Sequence, residues 1–413
     1  MMDWLWEKVQ SLLMWLLGFL LVALGIWAYP SIKEQLTDVQ IQTSDEPTAP
    51  AIPLEQTARL IKAAEPNARD PRGWALDLLE ALRLHGLPQS LENVCAVIAI
   101  TDQESGFVAN PAVPNLGKLS EQAVLQKLNK IPMLGDGAAL FLNQFPDKGN
   151  SFMQRIRKAK TERDLDLAYR DLITGLGQYA RQYKLGLLLD NGFARDLIEG
   201  NNEIDTIGSM QVAVSFAVQY ETEQRNGKAL SLEEVYGVRD KLYTRKGSLY
   251  YGTLLLLGYK TGYDKKIYRF ADFNAGRYSS RNAAFQAAVS ALQGKGLATD
   301  GDLLIYQEDG AVAASTSGTE KATLAVAGQL GLPLKASDIR KDFAQEKTLA
   351  FNDTRTYKAI MAAYRKQTRQ TAPYAIIPGI TLRSEKASRI LTTEKFATTV
   401  NGRYQRCVSG LIP

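Results

Sequence analysis

Nineteen consecutive uncharged residues, Ser11 to Tyr29 (SLLMWLLGFLLVALGIWAY), form the longest apolar run near the start of the chain. As a helix rising about 1.5 Å per residue they span roughly 28 Å, close to the hydrocarbon thickness of a bilayer. Four of the five tryptophans, Trp4, Trp6, Trp15 and Trp27, lie in or beside the run, where indole rings suit the headgroup interface. The run exceeds the roughly 7 to 15 apolar residues of a secretory signal, and Tyr29 and Pro30 stand where a small-residue cleavage site belongs. The pattern therefore predicts one uncleaved transmembrane helix within residues 1–30. Charge does not orient it, because Lys8 is offset by Asp3 and Glu7, and Lys33 by Glu34. Residues 31–53 mix Pro, Thr, Asp and Gln with few large apolar side chains, which makes them a flexible linker.

From residue 54 onward apolar positions recur at intervals of three and four, and the class is mainly α. LEQTARLIKAA reads as a helix, the next starts with Asp70 as cap and Pro71 at its first position, and Ser90 caps LENVCAVIAITDQES. A charge-rich helical stretch at about 112–200 looks like an insertion into a domain covering 54–298. Residues 299–413 form a C-terminal extension packed on that core, with helices in EKATLAVAGQLGL, ASDIRKDFAQEK, TRTYKAIMAAYRKQ and TTEKFATTVNGRYQRCV. Strand-like alternation is confined to 302–307 and 374–383.

Composition narrows the chemistry. The chain has 413 residues, enough for two or three domains of about 150 each. Its 49 Lys and Arg against 44 Asp and Glu leave +5, spread without a basic patch, so no nucleic-acid partner is expected. One histidine, His85, and two cysteines, Cys95 and Cys407, cannot supply a zinc site of the usual His and Cys ligand sets. No glycine-rich phosphate loop is present, which argues against nucleotide chemistry. Taken alone, the two cysteines are either buried thiols or one bridge formed in an oxidising compartment.

The helix of residues 91–105 is apolar on nearly every side until Thr101, as a central core helix is. Glu104, in its last turn, shares a face with Val97, Ile100 and Thr101. Burial there raises a carboxyl's pKa, and a carboxyl still protonated near neutrality can donate a proton to a leaving oxygen.

Three ordered stretches give that glutamate a context. QESGFVANP (103–111), GSMQV (208–212) and FNAG (273–276) resemble the Glu-Ser-x-Phe, Gly-Leu-Met-Gln and Tyr-Asn-Ala-Gly motifs of the lysozyme-like lytic transglycosylases. The separation 274 − 211 = 63 residues is similar to the family's usual distance. The longer strings look most like an uncharacterised bacterial envelope family within that group. The resemblance covers roughly 88–112 and 200–292. It implies a lysozyme-like helical domain with Glu104 as the catalytic acid and Ser105 as the hydroxyl beside it. Met210 and Gln211 correspond to the floor and hydrogen-bonding wall of a sugar cleft, and Asn274 to the substrate-side amide. The pattern departs at three points: 208 − 104 = 104 residues separate the first two motifs, Ser209 replaces Leu, and Phe273 replaces Tyr. The phenol lost at Phe273 has a possible substitute in Tyr278, Tyr268 or Tyr251.

The family's reaction needs no cofactor. One Glu acts as acid and then base, the muramyl 6-hydroxyl attacks, and 1,6-anhydro ends form. A muramidase instead needs a second carboxylate, for which Asp205 and Asp272 are placed by their loops, and a non-catalytic glycan-binding scaffold of an envelope assembly is the third reading. The substrate implied is peptidoglycan, which places the folded part in the bacterial periplasm, tethered to the inner membrane through residues 11–29. In that compartment Cys95 and Cys407 are expected to pair. Their bridge would brace the C-terminal helix against the helix of Glu104, stabilising by roughly 4 to 5 kcal/mol in a chain-entropy treatment.

Overall fold

The computed structural model describes residues 50–129, 135–182, 206–307, 310–382 and 391–410. No helix among these is long and apolar enough to cross a membrane, and the run 11–29 lies outside them. The described residues contain sixteen α-helices and two short antiparallel pairs of strands, so the chain is mainly α.

The first three helices are those the apolar spacing predicts, the second and third also marked by capping residues. They are α1 (Leu54–Ala64), α2 (Pro71–Leu84) and α3 (Leu91–Ser105). Asp70 caps α2 by accepting from the Gly73 amide at 3.0 Å, and Ser90 caps α3 through the Asn93 amide at 3.3 Å. Satisfying these first-turn donors fixes where each helix begins. α3 is buried continuously from Val94 to Asp102. Around it pack α1, α2, α10 (Arg245–Leu257) and α16 (Thr393–Val408).

The insertion is helical as its periodicity indicates, with α4 (Leu116–Asn129), α5 (Gly135–Gln144), α6 (Phe152–Lys158) and α7 (Glu162–Gln182) packed on one another. Its apolar residues Met153, Ile156 and Leu165 join the main core. Asp166 on α7, 1% exposed, pairs with Arg239 at 2.6 Å and so ties the insertion to α9 (Leu232–Leu242). Arg170, one turn along α7, pairs with the same carboxylate at 2.5 Å, so the bond that crosses between the two helices is the one to Arg239.

After α8 (Val214–Gln224) and α9, the chain forms α11 (Lys266–Ala275) and α12 (Ser279–Gln293). α12 is buried almost all round and serves a second apolar cluster built from Phe285, Val326, Phe343, Phe351 and Ile360. This cluster holds α13 (Gly318–Gln329), α14 (Ala336–Phe343) and α15 (Arg355–Thr368). α16 then returns to the first core, packing on α3 and α11.

Two strand expectations are corrected. Residues 302–307 form no strand, and only an isolated bridge between Tyr306 and Val312 remains. The main-chain groups of 302 and 303 are taken by side chains. Leu303 N–H donates to the buried Glu346 carboxylate, Leu303 carbonyl accepts from Ser317, and Asp302 carbonyl accepts from Gln286. A ladder needs those same donors and acceptors. Among the described residues of 374–382, Thr381–Leu382 alone forms a strand, pairing with Leu391–Thr392.

Candidate active site

Glu104 sits in the last turn of α3, just before Gly106 ends the helix in the left-handed region at φ 56°. The residue is half-buried, and no hydrogen bond or ion pair engages its carboxyl among the described residues. Removal from solvent alone pushes its pKa up to about 7. Neighbouring polar groups are committed elsewhere. Asp102 is ion-paired to Arg403 of α16, Gln103 accepts from Arg403 at 3.2 Å, and Ser105 Oγ donates back to Thr101 carbonyl at 3.1 Å. The one polar side chain of this turn left unengaged is therefore the carboxyl that titrates near neutrality.

The second motif forms a hairpin too short to show strand alternation. Strands β1 (Thr206–Ile207) and β2 (Val212–Ala213) flank the turn 208–211. Met210 is fully buried, its amide donating to Ser248 Oγ of α10 at 3.0 Å. Glycine is required at two places here. At Gly252 on α10 a Cβ would stand 2.4 Å from Met210 Sδ, and at Gly208, φ 82°, a Cβ would stand 2.1 Å from the Leu242 carbonyl oxygen. Gly208→Ala is expected to cost upwards of about 1–3 kcal/mol, since overpacking and a left-handed backbone add. A fall in the denaturant midpoint at constant slope checks it.

Gln211 itself lies at φ 48°. Its Oε1 accepts from Thr206 at 2.8 Å, and its Nε2 donates to Glu162 Oε2 at 3.2 Å and to Gly208 carbonyl at 3.2 Å. Glu162, the first residue of α7, is a site neighbour that sequence reading missed, because nothing in the 104-residue gap between the motifs marks it.

The third motif ends α11. Phe273 packs on the main core, and Asn274 Oδ1 accepts from Thr393 Oγ1, at the start of α16, at 2.9 Å. Its Nδ2 makes no bond among the described residues. Asp272 is fully buried. Its carboxylate accepts from Tyr259 OH (3.1 Å), Tyr263 OH (2.7 Å), Tyr278 N (2.9 Å) and Ser280 N (2.7 Å). A group so enclosed holds the start of α12 and has no room to activate water. Tyr278 is likewise buried, at φ 66°, with its hydroxyl given to Lys260 carbonyl at 2.8 Å. The structure thus places Asp272 and Tyr278 inside the fold. Tyr251 OH is also spoken for, donating to Glu221 at 2.5 Å. Asp205 lies outside the described residues.

Cys95 of α3 and Cys407 of α16 are joined in a disulfide, with Cα atoms 5.6 Å apart, and no free cysteine remains. α16 therefore touches two of the three motifs: it is bonded to the Glu104 helix and accepts the end of α11.

A family model described as "Protein of unknown function (DUF1615)" matches residues 67–410. The uncharacterized protein YaiW of Escherichia coli strain K12 is 35% identical over 344 residues, which cover 83% of this chain and 86% of that protein. No solved structure matches. Neither description assigns an activity.

Proposed function

We propose that this chain, which belongs to the DUF1615 family, is a membrane-anchored peptidoglycan lytic transglycosylase of the bacterial periplasm. The observation that carries this reading is Glu104: an unpaired, half-buried carboxyl at the end of a core helix, with a pKa raised by burial to about 7. At that value both forms are populated near neutrality, as one residue acting first as acid and then as base requires. The protonated carboxyl gives its proton to the oxygen between N-acetylmuramic acid and N-acetylglucosamine, and the C1–O bond breaks. The substrate's own N-acetyl group stabilises the resulting cation. The carboxylate then takes the proton of the muramyl 6-hydroxyl as that oxygen bonds C1, closing a 1,6-anhydro ring. No cofactor enters.

The burial of Asp272 favours this route over a muramidase, which would be left with Asp205 as base. Incubating the full chain with purified peptidoglycan and weighing the products tests the proposal. Anhydro ends are expected; reducing ends would make it a muramidase, and intact glycan a binding scaffold.

A further inference from the structure

A concave groove of about 590 Å³ runs between α2, α9 and α10. None of the three motifs lines it. Its volume lies within the roughly 300–1,000 Å³ of ligand pockets, and its lining combines aromatic rings with polar groups whose charges are already matched. Four carboxylates border it, each with a partner. Asp77 is bonded to Arg245 at 2.5 Å, Glu80 to Arg83 at 3.1 Å and Asp240 to Arg170 at 3.0 Å. Glu221 accepts from Tyr251 OH at 2.5 Å and has Lys241 Nζ at 3.9 Å. Lys241 and Lys246 line it as well, so the wall mixes both signs and a cationic or an anionic ligand would meet like charge as well as opposite charge. Carboxylates and guanidinium groups in such pairs still have lone pairs and N–H groups to offer to hydroxyls.

Tyr250 supplies the apolar element. Its ring is half-buried in the groove wall, backed by the His85 ring at 4.3 Å and fixed by a 3.1 Å hydrogen bond between its hydroxyl and that of Tyr220. A rigid aromatic surface beside charge-balanced hydrogen-bonding groups suits a ligand with apolar C–H faces and many hydroxyls. We infer that the groove is a second binding site, specific for an uncharged glycan and separate from Glu104. α10 links the two regions, since Tyr250 and Tyr251 line the groove while Ser248 and Gly252 hold the Met210 turn. The inference does not depend on cleavage, because no groove residue belongs to the proposed catalytic apparatus.

Gly237 of α9 makes the groove testable without disturbing the core. It lines the groove, and a Cβ built there meets nothing within 4 Å. Gly237→Phe therefore adds a bulky ring at the groove wall, and replacing a helical glycine does not strain the backbone. Titrating the uncharged tetramer of N-acetylglucosamine into full chain carrying Glu104→Gln, by calorimetry, is expected to show saturable binding. Adding Gly237→Phe should weaken it at least tenfold, about 1.4 kcal/mol, with the melting temperature unchanged. Tyr250→Ala should weaken it similarly. Absence of saturable binding, or an equal Kd after Gly237→Phe, overturns the inference, as does a preference for a cationic or sulfated ligand of the same size. Binding that persists while the full chain cuts no peptidoglycan upholds this site and rejects the catalytic proposal.

Discussion

Glu104→Gln is expected to abolish glycan cleavage and, above neutral pH, to make the protein more stable. The amide is nearly isosteric with the acid but transfers no proton, so the rate should fall on the order of 10² to 10⁴. The stability gain follows from the raised pKa. In the unfolded chain the carboxyl loses its proton near the ordinary value of 4.5, whereas in the fold it holds it to about 7. Between these values the unfolded state binds fewer protons, so stability falls as pH rises. The favourable contribution is complete below pH 4.5 and gone once pH has passed through 7. At pH 8 the wild type carries a desolvated anion, at a cost of up to about 3 kcal/mol, which the amide avoids. Melting curves at pH 4 and pH 8 check this, with the variant's advantage confined to the higher pH. An unaltered cleavage rate in the folded variant would sink the assignment of Glu104.

Removing the disulfide by Cys95→Ala and Cys407→Ala is expected to cost about 2–5 kcal/mol, mostly by freeing the unfolded chain. Calorimetry with and without reductant measures it, and the variant should melt like the reduced wild type. Cleavage should fall as well at temperatures where the fold still holds. α16 carries the Arg403 guanidinium that engages Asp102 and Gln103 beside Glu104, and the Thr393 hydroxyl that orients Asn274. If stability drops and cleavage by the folded fraction does not, α16 acts as a staple without positioning the site.

Much of the helical layout was legible because local signals and tertiary packing agree. Asp70, Pro71 and Ser90 set helix starts by chemistry internal to a few residues, and α3 looked like a core helix because its apolar residues face every direction. The strand reading at 302–307 failed where side chains from outside that stretch, Glu346 and Gln286 among them, claim the main-chain groups of 302–303. The hairpin at 206–213 escaped notice for the opposite reason, being too short to show alternation. At the site, the position of Glu104 could be read from helical register. The enclosure of Asp272 could not, because Tyr259 and Tyr263 reach it from the connection before α11 and Tyr278 and Ser280 from the turn into α12 after it, neither of which periodicity describes. Glu162 and Arg403 come to their motifs only through the fold, across 49 and 300 residues respectively.

The position of α16 also bears on how the protein is made. Residues 393–408 cover α3 and α11, so the part of the core that residues 91–105 build stays open until residue 408 has been made. Contacts of such long sequence separation are slow to form, and an apolar helix left waiting for its partner invites association with other chains. Truncations that stop short of α16 should therefore yield insoluble product rather than a smaller working domain, and chaperones that hold nascent chains have a defined surface to protect: the face of α3 that carries Cys95.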